Sequence, residues 1–101
     1  MMAASVQDKA GRVIELRRLG VVEQLRLFKV LGPELAENRA YVGLARVAAA
    51  VAAVDGIPVP FPAGEAGIEA VLERLGEDGV DAVGAALMPP PVEQMLAAAG
   101  N

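Results

Sequence analysis

The chain has 101 residues, 54% of them hydrophobic, and a formal net charge of −4. That length suits one domain with a modest core, and the acidic balance lacks the basic stripe of a nucleic-acid binder. With no cysteine and no histidine, disulfides, thiolate chemistry, the commonest general base and most zinc sites are excluded.

The apolar content is mostly Ala, Val and Leu, and Phe28, Tyr41 and Phe61 are the only aromatics. A core of such small aliphatic contacts is marginally stable, and a partner chain is one way to cover apolar surface that the monomer leaves open. Basic residues gather early, at Arg12, Arg17, Arg18, Arg26 and Lys29, and Arg74 is the only one after Arg46. Two readings of this asymmetry stand: solvated faces, or self-association of a basic front with an acidic rear. No secretory signal pattern opens the chain, and the apolar run Val47–Val54 is far below the ~20 residues of a membrane span. A cytoplasmic protein with no membrane or nucleic-acid partner is the expectation.

In chain order, Asp8-Lys9-Ala10-Gly11 carries turn chemistry. The β-branched alternation Val13-Ile14-Glu15-Leu16-Arg17 predicts a strand with Ile14 and Leu16 on one face. Ser5–Asp8 is its hairpin partner. After Gly20, Val21, Leu25, Phe28 and Leu31 recur at helical spacing, with Leu27 and Val30 widening the apolar surface. Either this helix is buried on two sides or it offers a face to a partner. Gly32 stops it. Pro33 then suits the first turn of a second, longer helix running to Val54. Along it Ala40, Leu44, Val47, Val51 and Val54 form a heptad-like seam with alanine flanks, which reads as the domain core, a contact between copies, or both.

Asp55-Gly56 reads as the stop of that helix. Ile57–Pro62 alternates apolar residues with proline, so an extended connecting arm is expected. Ile68, Val71, Leu72 and Leu75 predict a third helix closed by Gly76. Asp78 then caps a fourth over Val80–Leu87. The fold class expected is therefore mainly α, about four helices with a small N-terminal β-hairpin, in one domain over 1–88. A proline spacer and tail follow over 89–101.

Ser5 is the only serine, threonine is absent, and neither a phosphate loop nor calcium-loop spacing is present. A non-catalytic protein without cofactor or metal is expected.

The order of motifs resembles the tail assembly chaperones of long-tailed bacteriophages and prophages. The residues that carry the resemblance lie within 12–87. They are the L-R-x-L-G end of the strand (Leu16–Gly20), V-x-E-Q-L-R-L-F-K-x-L-G (Val21–Gly32), Asn38 and Tyr41 as N-x-x-Y, the V-D-G-x-P turn (Val54–Pro62), and the glutamate-rich Glu65–Leu87. The resemblance implies a small helical protein of the host cytoplasm, absent from the mature virion. Such a protein binds the tape measure protein and aids recruitment of tail tube protein, with several copies associating. Many of these proteins also occur in a frameshifted longer form, and the Met88–Pro91 spacer fits that plan. On this view two apolar surfaces are candidates for partner binding: Val21, Leu25, Phe28 and Leu31, and the seam of Leu44, Val47, Val51 and Val54. The alternatives are a small oligomeric helical adaptor or a connector-like phage structural protein, and, further off, a toxin-neutralising regulator.

Overall fold

The computed structural model describes residues 4–87. The elements run β1 (Ser5–Gln7), β2 (Val13–Leu16), α1 (Val21–Ala36), α2 (Arg39–Ala50), β3 (Val51–Val54), β4 (Ile57–Pro58) and α3 (Glu65–Leu87). The spacer and tail read over 89–101 lie outside the described residues.

Alternation builds the sheet. Ile14 and Leu16 of β2 are buried while Val13 and Glu15 face out, as a period of two requires. β1 pairs antiparallel with β2, setting Val6 opposite Ile14. The hairpin is only half of the sheet, however. β2 also pairs with β3, which pairs with β4, giving an antiparallel order β1-β2-β3-β4. Ile14 lies opposite Val54, and Leu16 opposite Val51 across a bulge, so four branched aliphatics tile the inner face.

This corrects the expectation of about four helices with a small hairpin: the protein has three helices and a four-stranded sheet. The long helix to Val54 does not form. It stops at Ala50, and Val51 turns extended at φ −79°, ψ 119°. Asp55 and Gly56 both have positive φ, 48° and 81°, which is the backbone of a two-residue type I′ hairpin turn. Asp55 fastens that turn to β2, since its Oδ1 accepts the Val13 N–H at 2.8 Å and its own N–H donates to the Val13 carbonyl at 2.8 Å. The alanine-rich run favours helix locally, but pairing of Val51 and Val54 with a strand already half-buried overrides that preference.

The proline arm completes this edge. Val59 N–H donates to the Ala52 carbonyl at 2.9 Å, extending the β3–β4 ladder by one bond. Pro58 and Pro60 flank Val59 and have no N–H to offer along the free edge. A further chain cannot add there in register, which protects the edge from aggregation.

Helix boundaries follow the sequence chemistry. Glu23 Oε1 accepts the Gly20 N–H at 2.9 Å and fixes the start of α1. Asn38 Oδ1 accepts the Tyr41 N–H at 3.1 Å and caps α2, so the N-x-x-Y motif is at least a helix cap. Gly32 (φ 78°, ψ 170°) kinks α1, and Gly76 (φ 65°, ψ −176°) kinks α3. That region of backbone space is essentially restricted to glycine. The break in α3 is thus a single residue, and Asp78, expected to cap a fourth helix, lies inside α3 instead.

The core lies between the inner face of the sheet and the helices. Ile14, Leu27, Val51, Ile68, Leu75 and Val83 are its largest fully buried side chains. Ala45, Ala48, Ala49 and Ala50 are also buried, which lets α2 approach closely.

Arg12 joins the β1–β2 turn to α3. Its Nε meets Asp8 Oδ2 at 2.8 Å, its Nη1 donates to the Arg74 carbonyl at 2.9 Å, and its Nη2 donates to the Leu75 carbonyl. Those two carbonyls end the first half of α3, where the helix leaves acceptors unpaired and a cation is favourable. Gly79 makes room for the contact, because a Cβ there would sit 2.9 Å from the Leu75 Cβ and 3.2 Å from Arg12 Nη2.

Burial pushes the Asp8 carboxyl upward, but hydrogen bonds from Arg12 and its charge outweigh burial and hold the pKa below the ordinary 3.8. A depressed carboxylate contributes stability above its unfolded pKa, and that contribution is lost as pH falls through the folded one. The gap in melting temperature between wild type and Asp8→Asn is therefore expected to be full above about pH 5 and to narrow progressively as pH falls below about 4 and through the lowered folded pKa. Thermal melts across pH 2–7 measure it; a gap independent of pH would exclude the charged pair as its source.

Candidate protein-interaction site

α1 carries two apolar stripes on different sides. At 100° per residue, Leu27 and Leu31 point with Gln24 to one side, the side packed on α2, whereas Val21, Leu25 and Phe28 fall on another side at i, i+4 and i+7. The protein buries the first stripe and exposes the second. Leu27 is 2% exposed, against 75% for Val21, 62% for Leu25 and 44% for Phe28. Val22 is open as well. Isolated surface aliphatics are ordinary, but a row of them along one helix marks an interaction surface.

The candidate residues thus separate into two groups. Val21, Leu25 and Phe28 come together on one exposed ridge, while Leu31 belongs to the core. The second candidate surface does not exist as a helical seam. Val51 and Val54 lie in β3 and are buried, Val47 is buried in α2, and only Leu44 is exposed. Leu44 borders a shallow groove with Gly43 of α2 and Val80 and Gly84 of α3.

Beside the exposed ridge, going round the helix, come Lys29, Arg26 and then Val30. Those three residues and the arm residues Phe61, Pro62 and Ala63 line an open cavity of about 540 Å³. Arg17 holds the arm that carries Phe61 in place. The Arg17 Nη2 donates to the Val51 carbonyl at 2.8 Å and to the Val59 carbonyl, and its guanidinium lies 5.8 Å from the centroid of the Phe61 ring. This ties the arm to the sheet and stacks a cation on Phe61.

No known protein family, curated protein or solved structure matches the chain. The surface itself therefore carries the functional reading.

Among the described residues, no cluster of acidic side chains is placed to hold a metal ion, and no helix is long and apolar enough to cross a membrane. Burial, with the charges of Glu65 and Glu69 added, raises the Tyr41 phenol above its ordinary value, so it stays protonated at neutral pH. Its hydroxyl is buried without a hydrogen-bond partner. Arg17, Arg26 and Lys29 make no ion pair within the described residues, so the cavity and its surroundings carry uncompensated positive charge on a chain of net charge −4.

Two features of this site lie beyond the sequence argument. The periodicity of α1 fits both stripes, so spacing alone does not choose which one packs on α2. The cavity needs the arm at 61–63 to fold against Arg26 and Lys29, residues more than thirty positions away. The one sequence cue was Phe61, a large aromatic in an arm otherwise made of proline and small aliphatics.

Proposed function

We propose that this protein is a non-catalytic binding protein, a tail assembly chaperone of the long-tailed phage type, acting in the host cytoplasm on the tape measure protein. The observation that supports this reading is the exposed ridge Val21, Leu25 and Phe28. A ridge at helical spacing fits the apolar stripe of another helix, and a long helical protein awaiting assembly presents such stripes. Covering them reversibly keeps the client from aggregating while tail tube protein is recruited. Repeated stripes along one client accommodate several chaperone copies.

The test is co-expression with a long helical tape measure protein as client. The client is expected to move into the supernatant with the wild-type chain and to remain in the pellet with Leu25→Asp/Phe28→Asp. That variant should melt close to the wild type, since both residues are exposed. If client recovery is the same with wild type, with the variant and with no chaperone, the reading fails.

A further inference from the structure

We propose that the cavity between α1 and the proline arm gives the exposed ridge a preference for acidic amphipathic helices. This inference rests on the ridge being a partner-binding surface, and it specifies the chemistry of the partner: an apolar stripe bordered on one side by carboxylates.

Lys29 and Arg26 stand between the ridge and the cavity, so a helix lying on Leu25 and Phe28 places one flank against both cations. Both residues are exposed and free to reach a carboxylate. Beyond them, Phe61 and Pro62 offer an apolar wall for a side chain from the next turn of the bound helix. Arg17, held against Phe61 from the protein side, adds to the positive field. Opposite charge at the border of an apolar contact sets register and rejects wrong partners more than it raises affinity.

A second copy of this chain fits less well. Its exposed carboxylates on α3 are Glu65, Glu69 and Glu73 in the first half and Glu77, Asp78 and Asp81 in the second. The first set has only Ala66 and Ala70 exposed between the glutamates, too small for the ridge or the Phe61 wall, and the second borders the Leu44 groove, where Arg39 would meet Arg26 and Lys29 with like charge. The observations therefore favour a different protein as occupant.

The test uses the full chain and a labelled helical peptide with leucines at i, i+4 and i+7 bordered on one side by glutamates. A control peptide has lysine in place of each glutamate. Binding is read by fluorescence anisotropy at low and high salt. At low salt the glutamate peptide is expected to bind roughly tenfold more tightly than the lysine peptide, and added salt narrows the difference. In Arg26→Glu/Lys29→Glu the preference reverses, with the melting temperature unchanged because both positions are exposed. Equal binding of the two peptides to the wild type, or an unchanged preference in the double variant, overturns the acidic specificity. The ridge itself still stands if Leu25→Asp/Phe28→Asp abolishes binding of both peptides. Failure of both peptides to bind the wild type overturns the ridge as well. Sedimentation at low salt reads the remaining outcome: self-association that the glutamate peptide reverses makes a second copy the occupant, and the proposal falls.

Discussion

Replacing Arg12 with alanine is expected to destabilise the fold by about 3 kcal/mol, because hydrogen bonds from a charged donor contribute about 1.5–3 kcal/mol each and two reach the end of the first half of α3. The Arg74 and Leu75 carbonyls directly precede Gly76, whose φ of 65° interrupts the helix. Regular helical donors are missing there, and the guanidinium supplies them. The same substitution strands Asp8, whose side chain is fully buried against Arg12. A buried carboxylate without its cation is unfavourable in addition to the lost bonds. Arg12→Lys retains the charge without the planar fork and should recover only part of the loss. For a domain of this size the alanine variant should melt roughly 10 °C or more below the wild type. A drop of only a degree or two would mean that the turn and α3 are held together by apolar packing alone.

Leu27→Ala and Leu25→Ala test the orientation of α1. The two residues are two positions apart and identical in chemistry, and one is buried while the other is open. Emptying a buried leucine site costs about 2–5 kcal/mol through lost transfer energy and the cavity left behind. Truncating an exposed one changes stability by about 0.5 kcal/mol or less. Urea denaturation of both variants should therefore show a large fall in midpoint for Leu27→Ala and almost none for Leu25→Ala. The reverse order would place Leu25 in the core and remove the ridge as a binding surface.

The sequence was informative where one local signal acts alone. The turn at Asp8–Gly11 and the alternation that puts Ile14 and Leu16 on one face each point to their structure without knowledge of distant residues, whereas Gly32 and Gly76, read as helix ends, are kinks inside α1 and α3. It misled where two local signals compete. Ala48–Val54 reads as helix from its alanines, yet Asp-Gly between branched aliphatics is also a hairpin signal. What decides is β2, more than thirty residues earlier, whose second edge needs a partner. The two glycines at the kinks also look alike in sequence, each following leucine, and they have closely similar backbone angles.

The candidate site divides in the same way. That α1 carries more apolar surface than one contact needs is visible in Val21–Leu31. Which stripe stays open depends on how α1 docks on α2, and this assigned Leu31 to the core. The seam over Leu44–Val54 failed because it assumed a helix through Val51. Arg26, Lys29 and Phe61 share a cavity only because Arg17 and the β3–β4 ladder bring the arm across.

The central claim is that the outer face of α1 binds an apolar helical client. Amide hydrogen exchange on the chain, alone and in complex with a co-expressed long helical client, measures this most directly. Added protection concentrated over residues 21–30, with a smaller effect over 61–63, is the predicted result. Protection confined to α2 and the second half of α3, with α1 unchanged, would contradict it and move the binding surface to the groove beside Leu44.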